Sequence, residues 1–227
     1  MGKNQTENLP EGLGKSRFAE MNSRNIYERV TGQRALFLCI DALDFVSKSS
    51  GEPSPRLRVR CCNYDDHRPS GQKITDEVDA YIPIGKFLVL ANDVLTGTLS
   101  KKKQFAQRDA SSAKHASYFD HFGGAYAPDV VSVRFSVVNG MDDKTSAFAF
   151  LATSGPGEIG KNGGIAPKKN SSPTKSIFIN MPNDELKEFC LIGKAYIEQF
   201  IALDLQSRLA SVRKMREAYA LSQREGN

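Results

Sequence analysis

The stretch with the clearest chemical potential is the glycine-rich segment SGPGEIGKNGG, residues 154–164. Read from Gly155, it spells Gly-x-x-x-x-Gly-Lys, the opening of a phosphate-binding P-loop. A P-loop also needs a Ser or Thr after the lysine to hold Mg²⁺, and a helix whose N-terminus faces the phosphates. Here Asn162 follows Lys161, and the glycines and Pro167 that come next are the poorest helix formers. The segment therefore predicts a flexible basic hairpin that contacts a nucleic-acid backbone, and no nucleotide-hydrolysing site.

Basic residues cluster in two connecting segments and on predicted strand faces. The net charge is +5, which is compatible with a polyanionic partner without requiring one. Residues 96–129 mix lysines with phenylalanines and tyrosines, including Phe122 and Tyr126, and have few aliphatic residues. Arginine on a strand face can pair with phosphate and stack on bases. We expect Arg58, Arg60, Lys168 and Lys169 to be exposed. The candidate nucleic-acid-binding residues are Arg34, Arg58, Arg60, Tyr64, Tyr81, Lys101, Lys102, Lys103, Phe105, Arg134, Lys161, Lys168, Lys169 and Lys175.

Apolar and polar residues alternate in several segments, as in half-buried strands. The alternation is clearest in residues 57–66 and 129–140, and Asn139-Gly140 is a strong hairpin signal. Apolar residues at a spacing of three and four then predict helices over 85–99 and from Asp184 onward, with Asn183 or Asp184 as the N-cap. Each half of the chain thus reads as three strands followed by a helix.

This order of elements predicts an α+β fold made of two tandem units of antiparallel strands followed by a helix, packed as one pseudo-symmetric domain with a C-terminal helical tail. Two such units can bury their helices against each other, because a three-stranded sheet with one helix has little core of its own. The predicted segments are a flexible N-terminus (1–24), one domain (25–203) with two β-β-β-α units (34–99 and 129–203) joined by a basic aromatic linker (100–128), and a polar helical tail (204–227).

The passage KSIFINMPNDELKEFCLIGKAYIEQFI, residues 175–201, resembles the strand-to-helix passage of the Whirly, PUR-alpha and related single-stranded-nucleic-acid binders. The resemblance covers roughly residues 34–203 and rests on the order of elements. It implies units with a curved antiparallel sheet followed by a helix, which pair through their helices. The family has four strands in each unit, whereas the alternation here identifies three. No binding residue of the family can be carried across by position.

The function these observations favour is non-enzymatic binding of single-stranded DNA with little sequence preference. RNA is an alternative ligand, self-association is compatible with the pattern, and a mobile element or a phage is a natural source. The four cysteines lie in apolar stretches without zinc spacing, which indicates reduced, packed thiols in a cytoplasmic protein that has no metal or other cofactor. No apolar run is long enough to indicate a membrane partner.

Two other functions stay open on the sequence alone. The first is a structural or assembly protein of a phage or a secretion system, in which the two basic segments would meet protein partners. The second is a metal-dependent nuclease, with ligands drawn from Asp65, Asp66, His67, Glu77 and Asp79. Consecutive acids at the end of a strand are more often part of a turn.

Overall fold

The computed structural model describes residues 24–46, 51–108, 116–126, 128–161 and 163–225, with side chains as far as residue 216. The predicted flexible N-terminus, apart from Arg24, lies outside the described residues. The predicted fold class is confirmed, because the described residues form two antiparallel sheets and three helices, the last at the C-terminal end. None of the helices described is long and apolar enough to span a bilayer.

The first sheet has four strands in sequence order, β1 (Asn25–Val30), β2 (Arg34–Cys39), β3 (Arg56–Tyr64) and β4 (Ile74–Pro83). The three-strand prediction for this unit was wrong, because β1 was missed. The sequence of β1, NIYERV, is mostly polar, and only its tyrosine is buried, so it carries almost no alternation. Helix α1 (Ile84–Leu95) follows β4 without a loop.

The predicted linker between the halves contains two regular elements. Helix α2 (Thr98–Ala106) follows α1, and β5 (Ser117–Ala125) is the edge strand of the second sheet. The linker prediction was therefore wrong as to structure. In β5 only two side chains are buried, and two glycines and an aspartate interrupt any apolar pattern.

The second sheet is built on the hairpin of β6 (Val131–Asp142) and β7 (Ser146–Ile159), with the order β5-β6-β7-β8. Strand β7 is long enough to pair with two strands along the edge that faces away from β6. Its first part pairs with β9 (Lys175–Met181), and its last residues pair with the short β8 (Ile165–Pro167). This sheet thus has five strands where the alternation predicted three.

Helix α3 (Asn183–Glu225) runs without interruption through the predicted tail. Its first turns pack in the core, where the Phe189 ring lies 5.6 Å from Phe87 and 5.1 Å from Phe150 between centroids. Glycine is required at position 193, because an added Cβ would lie 2.4 Å from the Phe87 ring. Asn183 does not act as the predicted cap, since its side-chain oxygen accepts a hydrogen bond from the Ala147 amide at 3.1 Å.

The inner faces of both sheets join α1 and α3 in one apolar core. The four cysteines are free and buried, as predicted. Cys61 points into this core, and Cys62 packs on the opposite face of the first sheet. Burial raises the pKa of Cys62 to about 12, so this thiol is unreactive at neutral pH.

Candidate nucleic-acid interface

The structure distributes the predicted binding residues over four regions of the molecule. They lie on the outer face of the first sheet (Arg58, Arg60, Tyr64, Tyr81), on helix α2 (Lys101, Lys102, Lys103, Phe105), where the two sheets meet (Arg34, Lys175), and on the second sheet with its β7–β8 hairpin (Arg134, Lys161, Lys168, Lys169). The predicted binding residues therefore do not form a single continuous surface. The regions differ in how many of their cations are already paired with carboxylates, and a polyanion binds best where cations remain unpaired.

Arg58 and Arg60 of β3 were predicted to be exposed, and this prediction was wrong. Only 8% of Arg58 is exposed, and its guanidinium lies 2.6 Å from Asp41. Arg60 pairs with Asp79 at 2.7 Å and with Glu77 at 3.3 Å. The hydrogen bond to Asp79 raises the pKa of Arg60. Carboxylates on β4 and in the β2–β3 connection therefore already satisfy both cations, and these two arginines are structural.

The tyrosines of the same sheet are only partly available. Tyr81 is 42% exposed and lies opposite Arg58 in the strand register. Tyr64 is half-buried, and the Lys73 ammonium lies 5.9 Å from the centre of its ring. Neither ring lies beside a cluster of free cations.

Helix α2 presents much less positive charge than its three consecutive lysines suggest. Lys103 is buried, pairs with Asp143 and donates a 2.6 Å hydrogen bond to the Ala147 carbonyl. Lys102 pairs with Asp93 at 2.6 Å. Lys101 and Phe105 are exposed, but their helix is attached to the β6–β7 turn through Lys103. That turn is roughly 40 Å along the strands from the β7–β8 hairpin.

Arg34 and Lys175 hold the two sheets together. The Arg34 Nε donates a 3.3 Å hydrogen bond to the Phe178 carbonyl on the outer edge of β9. Lys175 pairs with Asp76 of β4 at 2.7 Å. Edge strands need such cover, because their unpaired backbone groups otherwise recruit other chains. The contacts of both residues fit a structural role.

Arg134 lies on the outer face of the second sheet, directly opposite Phe122 of β5. Its guanidinium carbon is 5.4 Å from the centre of the Phe122 ring, and its Nε donates to Asp120 at 2.8 Å. Burial raises the pKa of Asp120, but hydrogen bonds from Arg134 and Ser136 outweigh it, and the net pKa is lowered. Asp120 thus stays ionised and fixes the guanidinium over a ring that is 49% exposed.

The β7–β8 hairpin bends toward β5 and is held there. The Tyr126 phenol, just after β5, donates a 2.6 Å hydrogen bond to the Gly163 carbonyl at the tip of the hairpin. Ile165 packs against Gly124 and Gly157, where an added Cβ would lie 3.0 Å and 3.1 Å from its Cγ2. The predicted hairpin is present, and a β-strand follows Lys161 where a P-loop has a helix. This geometry excludes the P-loop.

Three lysines, one at the tip of this hairpin and two directly after β8, carry unpaired charge. Lys161, Lys168 and Lys169 are exposed, and no carboxylate among the described residues lies within salt-bridge distance of them. The Lys168 amide is fixed by a 3.0 Å hydrogen bond to the Pro156 carbonyl. We name the set Phe122, Tyr126, Arg134, Lys161, Lys168 and Lys169 the hairpin platform.

Sequence reasoning missed two members of the hairpin platform. Phe122 and Tyr126 were noted only as aromatic residues of a linker. The available signal was their spacing, because residues 122, 124 and 126 fall on one face of a strand. Tyr126 is 58% exposed although its hydroxyl is bonded, so its ring remains accessible.

The acids considered for a nuclease do not converge. Glu77 and Asp79 are paired with Arg60, whereas Asp65 accepts from Arg68 in the β3–β4 connection. The His67 side chain is 93% exposed. In the described part of the chain, no three His, Cys, Asp or Glu side chains are grouped so as to hold a metal ion.

Comparison with known proteins gives a likeness in structure only. No family model matches the chain, and no curated protein matches it. The plant transcriptional regulator PBF-2 is 12% identical, with a TM-score of 0.45 over 82% of this chain and 86% of that one. WHY3 from Arabidopsis thaliana is also 12% identical, with a TM-score of 0.48 over 82% of this chain and 95% of the other. Both are Whirly proteins.

Proposed function

We propose that this protein is a non-enzymatic binder of single-stranded DNA and that the hairpin platform is its contact surface. The observation that carries the proposal is the juxtaposition of unpaired lysines with exposed aromatic rings. Lys161 lies on the hairpin whose tip is bonded to Tyr126, and Lys168 and Lys169 follow its second strand directly. Elsewhere among the predicted binding residues, most cations are already neutralised by carboxylates.

The platform suits a single strand better than a duplex. An aromatic ring can stack only on a base whose face is free, and such stacking contributes about 1–3 kcal/mol per base. Phe122 offers one ring with a guanidinium held against it, and Tyr126 offers a second. The lysines would neutralise the phosphates that run past these rings, which gives an affinity that depends on salt.

Little sequence preference is expected from the same groups. Every base has a face that can stack, whereas discrimination needs donors and acceptors aimed at base edges. The polar groups beside the Phe122 ring are already hydrogen-bonded within the protein, since Asp120 accepts hydrogen bonds from both Arg134 and Ser136. RNA offers the same faces and phosphates, so it belongs in the same assay. Four buried thiols suit a protein that works in the cytoplasm.

A matched pair of alanine variants tests the assignment of the surface. Phe122→Ala removes one of the two rings of the platform, and Phe105→Ala removes an exposed ring from helix α2, at the other end of the strands. We expect Phe122→Ala to weaken binding of a labelled oligothymidine by about 5–150-fold, the equivalent of one lost stacking contact. Phe105→Ala should leave the affinity within about twofold of the original. Equal losses in both variants, or no loss in either, would reject the hairpin platform as the binding surface.

A further inference from the structure

The distal part of helix α3 carries an apolar face that nothing in the described structure covers. All side chains from residue 205 to 216 are exposed, and this segment includes leucine, valine and methionine side chains. Residues 201–225 extend the helix by about 37 Å beyond the last partly buried phenylalanine, Phe200. An isolated helix is marginally stable in water, and most helices are stabilised by packing one apolar face.

Four of the exposed apolar residues fall on one side of the helix. At 100° per residue, Ile201, Leu205, Leu209 and Val212 lie within a sector of about 80°. They are 42%, 55%, 49% and 38% exposed. Toward the core domain the same sector is occupied by Lys194 and Glu198, which pair with each other at 2.5 Å. The apolar stripe therefore runs from Ile201 to Val212, within the part of the helix that extends beyond the core.

The charges along α3 divide into an acidic part and a basic part. Residues 184–204 contain five acidic residues and two lysines, a net charge of −3, whereas residues 205–216 contain four basic residues and no acid. Parallel pairing of two copies would place the basic parts side by side. Antiparallel pairing places each basic part beside the acidic part of the other copy, which is favourable.

We propose that two copies of this chain associate through an antiparallel pair of α3 helices whose contact is the stripe from Ile201 to Val212. A crossing centred near Gln206 places Leu205 beside its own counterpart and Ile201 level with the turn between Leu209 and Val212 of the second copy. The same crossing lays the basic segment 205–216 of each copy beside residues 196–207 of the other copy, which contain two acids. Apolar residues thus meet apolar residues and the basic segment meets the acidic part, as an isologous two-fold interface requires.

The mass of the full chain in solution tests the association. Light scattering after size exclusion should give twice the chain mass of 25.0 kDa at about ten micromolar. Leu205→Glu with Val212→Glu should raise the dissociation constant by at least about 100-fold and give the monomer mass. Leu203→Glu is the matched control, because Leu203 is 56% exposed on the opposite side of the helix, and it should stay dimeric.

Disulfide trapping tests the orientation. Leu205→Cys lies near the crossing and should link to itself between copies on mild oxidation. Met215→Cys should not, because its two copies would be about 27 Å apart in an antiparallel pair. Strong trapping at Met215→Cys would overturn the antiparallel arrangement. A wild-type protein that is monomeric would overturn the interface, and so would a Leu203→Glu variant that dissociates as much as the double variant. If the wild type is monomeric and the Leu205 and Val212 changes weaken its binding to DNA, the stripe is a nucleic-acid contact instead.

Discussion

The phenol of Tyr126 donates a 2.6 Å hydrogen bond to the carbonyl of Gly163, which joins the end of β5 to the tip of the β7–β8 hairpin. These residues are 37 positions apart in the chain. The bond fixes the glycine-rich hairpin against the end of β5, so that the hairpin forms one side of the hairpin platform. It also places an accessible ring beside the hairpin lysines.

Removing this hydroxyl should loosen the hairpin while keeping the ring. A hydrogen bond of this kind contributes about 0.5–1.5 kcal/mol net, so Tyr126→Phe should speed amide hydrogen exchange in residues 157–167 by about 2–10-fold. Tyr118→Phe is the control, because its hydroxyl bonds to Asn139 at 2.7 Å near the other end of β6. Unchanged exchange in the hairpin after Tyr126→Phe would show that other contacts hold it.

The hairpin lysines should determine the salt dependence of binding. On single strands each lost phosphate contact lowers the slope of log affinity against log salt by about 0.7. Replacing Lys161, Lys168 and Lys169 by alanine should therefore reduce the slope by about 2. Anisotropy titrations of an oligonucleotide over a range of salt concentrations measure this.

Three other exposed lysines provide the matched control for that triple variant. Lys101, Lys144 and Lys187 have no carboxylate partner in the described structure and lie toward the β6–β7 turn. Replacing them removes the same net charge and should change the slope by less than about 0.7. Similar slopes for the two triple variants would mean that overall charge, and no particular surface, attracts the DNA.

The arginines of β3 should matter for stability more than for binding. Arg58→Ala removes the cation that pairs with Asp41 and the weaker of the two arginine contacts of Asp79, and hydrogen bonds to charged groups contribute about 1.5–3 kcal/mol. We expect the free energy of unfolding in urea to fall by that amount. Arg68→Ala, which breaks an exposed pair with Asp65, should cost less than about 1 kcal/mol. A stable Arg58→Ala variant that no longer binds DNA would show that Arg58 belongs to the binding surface.

Stability should fall below pH 6.5 because of His121. Burial, with further effects of Lys86 and Arg56, lowers the pKa of His121 from 6.5 to about 4. As the pH falls from 6.5 toward 4, the unfolded chain takes up a proton that the folded chain does not, so folding is disfavoured by up to about 1.4 kcal/mol per pH unit. Urea unfolding at pH 7.5, 6 and 5 should show this loss.

Two histidine variants separate the effect of His121 from that of the carboxylates, which titrate in an overlapping pH range. His121→Leu should weaken the pH dependence between 6.5 and 4, whatever its stability at pH 7.5. His67→Gln changes an imidazole that is 93% exposed and should follow the wild-type curve. If His121→Leu and the wild type lose stability in parallel, His121 is not the titrating group.

The fold could be predicted to the extent that strands were apolar on one face. Strands β3 and β6 alternate over most of their length and were identified, as was α3. Strands β1 and β5 lie at sheet edges, contribute few buried side chains and contain charged residues or glycine. Their strand structure depends on pairing with β2 and β6, which is tertiary context that a local pattern does not contain.

The candidate site was predictable only in its hairpin lysines and Arg134. A sequence shows where cations lie but not which carboxylates face them, so Arg58 and Lys103 looked as available as Lys161. The partners of Arg58 and Lys103 lie 17 and 40 positions away in the chain. Phe122 could not be joined to Arg134 without the register of β5 on β6.

Titration of the wild-type protein with a labelled single-stranded oligonucleotide and with the corresponding duplex tests the central claim most directly. The single strand should bind at least tenfold more tightly than the duplex at equal salt, because only its bases can stack on Phe122 and Tyr126. Its affinity should also fall steeply as salt rises. Equal affinity for both forms, or no binding of the single strand at low salt, would contradict the proposed function.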